Sequence, residues 1–120
     1  MMTDNKSILL IANDYIRQGD NEGFLSFCTE DVTWEFVGDT ILKGKPAVRE
    51  YMQSTYAEPP EFDVQELIAD DDRDTVVAIG IIKLINFNGS SKTYNYCDIW
   101  KLRNNKLAVL KAFVSEVGPL

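Results

Sequence analysis

The chain contains an almost unbroken apolar run from Thr75 to Ile85, and this run restricts the possible fold more than any other feature. Its β-branched residues and the turn-forming segments around it favour a strand over a helix. Alternate residues of a strand point to opposite sides, and both sides here are apolar: Ile79, Ile81 and Ile85 on one, Ala78, Gly80, Ile82 and Leu84 on the other. We therefore expect helices to cover one side and a second copy of the chain to cover the other, in a homodimer.

Other segments also have the composition and spacing of strands. In each of them, apolar and polar residues alternate or apolar residues follow one another, and turn-forming residues lie at the ends. These segments are residues 32–36, 62–69, 94–102 and 106–115. Short turns join the last four strands along the chain, which is typical of an antiparallel meander. Within residues 62–69 we predict a regular alternation that places on one side Phe62, Val64, Glu66 and Ile68.

Apolar residues recur at helical spacing in three segments, at about residues 3–18, from residue 20 onward, and at about residues 44–56. Thr3 or Asp4 can cap the first helix, Gly19 can end it, and Asp20 can cap the second. Prolines at 59 and 60 prevent the third from continuing. This order of elements predicts an α+β domain in which helices close a curved antiparallel sheet and leave a cavity between them.

The strand at residues 94–102 carries the first candidate for chemistry. Its even positions place three aromatic rings and one carboxyl group on a single side: Tyr94, Tyr96, Asp98, Trp100 and then Leu102. Aromatic side chains bury large areas, so this side should be enclosed. Burial disfavours the charged form of an acid that lacks a partner, which makes Asp98 the residue to examine first.

Charge and residue usage exclude several functions. The net charge of −7 argues against binding to nucleic acid or to an anionic membrane, because phosphate groups repel such a surface. The chain has no histidine, which removes histidine triads, imidazole bases and histidine-ligated metals. Cys28 and Cys97 are too few for a disulfide framework or a cysteine zinc site, and neither has a histidine to activate it. We expect no metal and no cofactor.

The amino-terminal residues lack the basic-then-apolar pattern of a signal peptide, and no apolar run reaches membrane-spanning length. We expect a cytoplasmic protein that forms a single domain over residues 1–120.

Several motifs, taken in order, resemble the SnoaL-like and ketosteroid-isomerase-like branch of the nuclear transport factor 2-like superfamily. They are Gly19-Asp20 after the first helix, the segments TEDVTW (29–34) and GKPAVREY (44–51), and YCDIWKL (96–102) followed by Asn105-Lys106-Leu107. The resemblance covers nearly the whole chain. It implies a cone-shaped, strongly curved antiparallel sheet wrapped by three helices around an apolar pocket, usually in a dimer.

The same resemblance implies roles for single positions. Asp98 matches the family's protonated, hydrogen-bond-donating aspartate, a role that ketosteroid isomerase illustrates. Phe36 stands where the isomerase has its general base, and Ala12 where it has its oxyanion tyrosine. Tyr96 occupies the position of an arginine that limonene-epoxide-hydrolase-like members need. Asp98 is therefore the only one of the three isomerase groups that is present.

Three functions remain open at this stage. The first is a cyclase or isomerase that acts on a hydrophobic carbonyl compound, with Asp98 as the acid or base. The second is a pocket that binds a hydrophobic ligand without catalysis, and the third is a dimeric protein-interaction module. Besides Asp98, the predicted lining of a substrate pocket consists of Tyr15, Trp34, Phe36, Tyr94, Tyr96 and Trp100.

Overall fold

The structure is a computed structural model that describes residues 4–118. It confirms the α+β class, with three α-helices packed on one face of a curved six-stranded sheet. The helices are α1 (Asn5–Arg17), α2 (Asn21–Leu25) and α3 (Lys45–Thr55). The strands are β1 (Cys28–Phe36), β2 (Thr40–Lys43), β3 (Glu61–Asp70), β4 (Thr75–Ile85), β5 (Ser91–Arg103) and β6 (Lys106–Glu116).

The strands lie in the order β2-β1-β6-β5-β4-β3. All neighbouring strands run antiparallel except β1 and β6, which are parallel because the chain passes through the rest of the domain before β6 returns to the middle of the sheet. The predicted meander of the last four strands is present. β2, a four-residue strand at the sheet edge, was not predicted, since only its Leu42 escapes full exposure and it has no apolar alternation of its own.

Short polar side chains begin the first two helices. A carboxylate oxygen of Asp4 accepts from the backbone N–H of Ser7 at 2.8 Å, and Asp20 accepts from the N–H of Gly23 at 2.8 Å. Thr3, the other predicted cap, lies outside the described residues. Gly19 ends the first helical segment at φ +77°, a conformation that favours glycine. These caps orient α1 and α2 across the concave side of the sheet.

The hydrophobic core lies between the helices and this concave side. Its fully buried members come from both layers and include Leu9, Phe24, Met52, Val76 and Leu107. Trp34 and Trp100 contact each other edge to face at 6.2 Å between ring centroids, which joins β1 to β5 across the intervening β6. The helices pack on this aromatic cluster.

The predicted regular alternation of β3 is wrong beyond Val64. The pairing of β3 with β4 shifts register between Val64 and Glu66, so the extra residue at 65 makes a bulge. After the bulge, Leu67 and Ala69 face the helices with Phe62 and Val64, whereas Glu66 and Ile68 face the opposite side. The bulge adds curvature where β3 closes one end of the cone.

Gly80 on β4 permits this curvature. A Cβ atom at position 80 would lie 2.0 Å from the carbonyl oxygen of Asp63 and 2.8 Å from the hydroxyl of Tyr96. Only a residue without a side chain allows the backbone of β3 to approach so closely.

No helix in residues 4–118 is long and apolar enough to cross a membrane.

Replacing Gly80 with alanine should lower the free energy of unfolding by about 1–3 kcal/mol or more, because the added methyl group meets backbone atoms that cannot rotate away. Gly118→Ala is the matched control, since a Cβ there meets nothing within 4 Å, and its effect should stay within about 0.5 kcal/mol. Urea unfolding of both variants measures the difference. Equal stabilities would show that β3 does not need the close approach.

Candidate ligand cavity

A cavity of about 330 Å³ lies between the concave side of the sheet and the helices. Apolar and aromatic side chains from every layer form most of its wall, among them Ile16, Phe24, Trp34, Phe36, Phe62, Ile82, Trp100 and Leu110. Small-molecule sites in proteins have this size and composition, with a few polar groups that orient the ligand. The polar groups of the wall therefore decide what the cavity can do.

Strand β5 supplies the central wall. Because alternate residues of a strand share a side, Tyr94, Tyr96, Asp98 and Trp100 all point into the cavity. Asp98 is half-buried and lines the cavity. Its carboxyl group makes no hydrogen bond or ion pair with any residue of the part of the chain that the structure describes.

The neighbours of Asp98 explain why it has no partner. Directly opposite it across the sheet lie Ala78 on β4 and Ala112 on β6. Both side chains end at Cβ, so they leave space above the carboxyl group and offer it no donor. Burial in these apolar surroundings raises the pKa of Asp98 from 3.8 to about 7. Both protonation states of the carboxyl group are therefore populated near neutral pH.

Two phenol groups share this part of the cavity. Burial raises the pKa of Tyr96 to about 12, with a further contribution from the negative charge of Asp98. Burial also raises the pKa of Tyr56, at the end of α3, with smaller contributions from Tyr51 and Asp98. Both phenols therefore stay protonated at neutral pH and can donate hydrogen bonds to a ligand held beside Asp98.

Trp34 also lines the cavity, but its indole N–H is buried. Trp34 is 4% exposed, and its Nε1 has no hydrogen-bond partner within residues 4–118. The ring is held in edge-to-face contacts with Phe24, Phe36, Tyr51 and Trp100. A buried donor without an acceptor lowers the stability of a folded protein, so this N–H carries an energetic cost.

Two exposed polar residues lie at the opening of the cavity, and one of them is acidic. The exposed residues Asp39 and Thr40, where β1 turns into β2, line the cavity on its solvent side. With Asp98, the lining formed by residues 4–118 thus contains two carboxyl groups and no lysine or arginine. This electrostatic environment disfavours an anionic ligand.

Six of the seven site residues predicted from the sequence lie on the cavity wall. Tyr15 does not: it packs against Phe27 at 5.7 Å between ring centroids and lies over Gly23. Tyr51 and Tyr56 were interpreted as packing residues but also line the cavity. Their helical spacing placed them on the buried side of α3, and it contained no signal that this side faces a space rather than a packed core.

The two cysteines do not extend the site. Cys28 is buried, and burial raises the pKa of its thiol to about 12, so the reactive thiolate is scarce at neutral pH. Cys97 lies on the opposite side of β5 from Asp98. Within residues 4–118, no group of three or more side chains of the metal-binding types is arranged to hold a metal ion.

Comparisons with known proteins agree with this architecture. A family model described as a SnoaL-like domain matches residues 12–110. A search of curated proteins finds no match. Among solved structures, SalBIII, an epoxide hydrolase/cyclase-like enzyme with a role in pyran ring formation in the polyether salinomycin, superposes with a TM-score of 0.84 at 23% identity, over 92% of this chain and 90% of that one.

Two further structures are similar at lower identity. The Δ5-3-ketosteroid isomerase from Mycobacterium sp. superposes with a TM-score of 0.82 at 12% identity, over 96% of this chain and 100% of that one. TerC, co-crystallised with polyporic acid, superposes with a TM-score of 0.78 at 20% identity, over 94% and 92% of the two chains. At these identities the likeness establishes the fold and not the reaction.

The raised pKa of Asp98 predicts a specific dependence of stability on pH. Between the ordinary pKa of 3.8 and the folded-state pKa of about 7, the folded protein holds a proton that the unfolded chain releases. The free energy of unfolding should therefore fall as pH rises from about 4 to about 7, by up to about 4 kcal/mol, and level off above that.

Asp98→Asn has no proton to lose and should lack this fall, so the difference between the two proteins isolates the contribution of Asp98. Urea unfolding at a series of pH values measures it. Parallel profiles for the wild type and Asp98→Asn would show that the carboxyl group is well solvated in the folded state.

Proposed function

Because this chain belongs to the SnoaL-like domain family, we propose that its cavity binds an uncharged, largely apolar molecule with a carbonyl group, and that Asp98 exchanges a proton with that molecule during an isomerisation or cyclisation. The observation that carries the proposal is the Asp98 carboxyl group, which opens onto the cavity without a protein partner and has a pKa of about 7.

A pKa near neutrality suits a group that must both give and take a proton. The ionised carboxylate of Asp98 removes a proton from the carbon next to the carbonyl group, which leaves an enolate. The protonated carboxyl group then returns the proton to another carbon of the same molecule, and Asp98 is again ionised. No other reactant is consumed in this sequence.

The developing enolate oxygen needs donors. The phenols of Tyr56 and Tyr96 lie in the same wall, and burial keeps both phenols protonated. Preorganised donors of this kind stabilise negative charge strongly in a site with little water. We assign them the role of holding the carbonyl oxygen while Asp98 acts on the neighbouring carbon.

The lining also restricts the substrate class. A cavity of about 330 Å³ with two acids and no cationic side chain suits a neutral molecule and repels carboxylates and phosphates. The names of the similar structures include pyran ring formation and ketosteroid isomerisation. Polycyclic or polyketide-derived ketones are therefore the substrates that we propose.

A second candidate function is ligand binding without turnover. One observation in its favour is Phe36, which lines the cavity at the position that corresponds to the isomerase base. Another is that, among residues 4–118, Asp39 is the only other acid of the lining. Asp39 is exposed at the opening. If proton transfer needs a second carboxylate deep in the cavity, the described lining does not supply it.

Binding of neutral ketones is tested with a matched pair of probes. 2-Acetylnaphthalene and 2-naphthoate share one ring system but differ in charge. At pH 8 the ketone should raise the melting temperature, because ligands of the native state stabilise it, and the carboxylate should have little effect. An equal shift with both probes would contradict the proposed exclusion of anions.

Proton exchange tests the chemical step. In D₂O the wild type should exchange the methyl protons of 2-acetylnaphthalene for deuterium, as followed by NMR, and Asp98→Asn should slow the enzyme-dependent exchange by about 10²-fold or more. Tyr15→Phe is the control, since Tyr15 lies outside the cavity wall. Binding without exchange by the wild type would instead establish the non-catalytic function.

A further inference from the structure

The carboxamide of Asn13 lines the cavity but has no part in the proposed proton exchange. Asn13 lies on α1 and is half-buried, and it is the only residue with a carboxamide in the lining that residues 4–118 form. Its neighbours on the helix surface, Leu9 and Ile16, are both buried. The amide group makes no hydrogen bond with any described residue, so its oxygen and its N–H groups are available to a ligand.

Contacts at both ends of α1 fix its position along the sheet. At its beginning, Nδ2 of Asn5 donates to Oδ1 of Asp74 at 3.2 Å, next to the first residue of β4. At its end, the guanidinium group of Arg17 lies 4.0 Å from the centroid of the Phe62 ring on β3. The helix therefore extends across the concave side from the beginning of β4 to the beginning of β3.

These contacts place Asn13 opposite the middle of β5. Through the cross-strand pairs, the beginning of β4 is level with Lys101 of β5, and the beginning of β3 is level with Tyr94. Asn13 is eight of the twelve residue steps from the first residue of α1 to the last. Because an α-helix rises by the same length at each residue, Asn13 lies about level with Tyr96, the inward residue next to Asp98.

Tyr96 does not fill the space between the sheet and α1. A Cβ atom at Gly80, the cross-strand neighbour of Tyr96, would lie 2.8 Å from the Tyr96 hydroxyl oxygen, so the phenol lies against the sheet. No hydrogen bond joins this hydroxyl group to Asn13. Tyr96 and Asp98 therefore belong to the sheet wall and Asn13 belongs to the helix wall, with the cavity between them.

We propose that Asn13 forms a second polar subsite of the cavity, which binds a hydroxyl group at the end of the ketone substrate opposite the reacting carbonyl group. This inference rests on the proposed function, since it takes the carbonyl group to lie at Asp98 and Tyr96. A carboxamide matches a hydroxyl group because each can both donate and accept a hydrogen bond. The substrate class is then a neutral hydroxy ketone whose two oxygen atoms lie at opposite ends of the molecule.

The subsite also selects against ketones that lack the hydroxyl group. An apolar ligand end that covers the Asn13 amide removes water from it without replacing the hydrogen bonds, which lowers the affinity. A hydroxyl group on the ligand restores these hydrogen bonds. Sites that hydrogen-bond a substrate hydroxyl group discriminate in this way against the analogue without it.

Matched ketones test the subsite. 6-Hydroxy-2-acetylnaphthalene adds one hydroxyl group to 2-acetylnaphthalene at the end away from the acetyl group. At pH 7 the wild type should bind the hydroxylated ketone at least about fivefold more tightly, as measured by isothermal titration calorimetry. The isomer 1-hydroxy-2-acetylnaphthalene has its hydroxyl group beside the acetyl group, on the side of the sheet wall, and should bind no more tightly than 2-acetylnaphthalene.

Asn13→Leu should bind 6-hydroxy-2-acetylnaphthalene and 2-acetylnaphthalene with equal affinity, because leucine is similar in size but forms no hydrogen bond. Asn13→Ala should lose the preference in the same way. Gln53→Leu is the matched control, since it removes an exposed carboxamide of α3 that lies outside the lining, and it should keep the preference. Circular dichroism confirms that each variant is folded.

The outcomes separate this subsite from the proposed function. If the wild type binds both ketones equally, or if the preference persists in both Asn13 variants, the subsite is overturned while ketone binding stands. If the wild type binds neither ketone, the proposed function is contradicted and the subsite with it.

Discussion

Strand β4 carries apolar side chains toward both faces of the sheet, so both faces favour burial. Helices cover the concave face and leave a cavity, because a strongly curved sheet and straight helices cannot meet along their whole length. No helix within residues 4–118 packs on the opposite side of the sheet. Exposed apolar residues on that side, such as Ile68 and Phe113, favour burial.

The concave face combines small and large residues in a way that leaves one carboxyl group open to the cavity. Ala78 and Ala112 flank Asp98 and leave its carboxyl group open to the cavity, while large rings such as Trp34 and Trp100 fill the space at one end. The carboxyl group therefore loses water without gaining a partner, and its pKa rises to about 7. The proposed proton exchange depends on this raised pKa.

Sequence patterns predicted the long helices and strands. They did not predict features that depend on contacts between residues far apart in the chain. The helices, the apolar β4 strand and the inward side of β5 follow from periodicity alone. The bulge in β3 does not, because it depends on Gly80 of the neighbouring strand, which lets the carbonyl group of Asp63 approach. Likewise, helical spacing marked Tyr51 and Tyr56 as buried but could not show that they face a cavity.

The sequence by itself determined that β4 is apolar on both sides, that Asp98 shares a side with aromatic rings, and that no histidine is available for catalysis. These are properties of residue type and of the two-residue period of a strand. Only the tertiary structure decided that Asp98 has alanine neighbours and no donor among residues 4–118, and that Tyr15 lies outside the wall. The physical reason is that cross-strand register, and not spacing along the chain, places residues from different strands side by side.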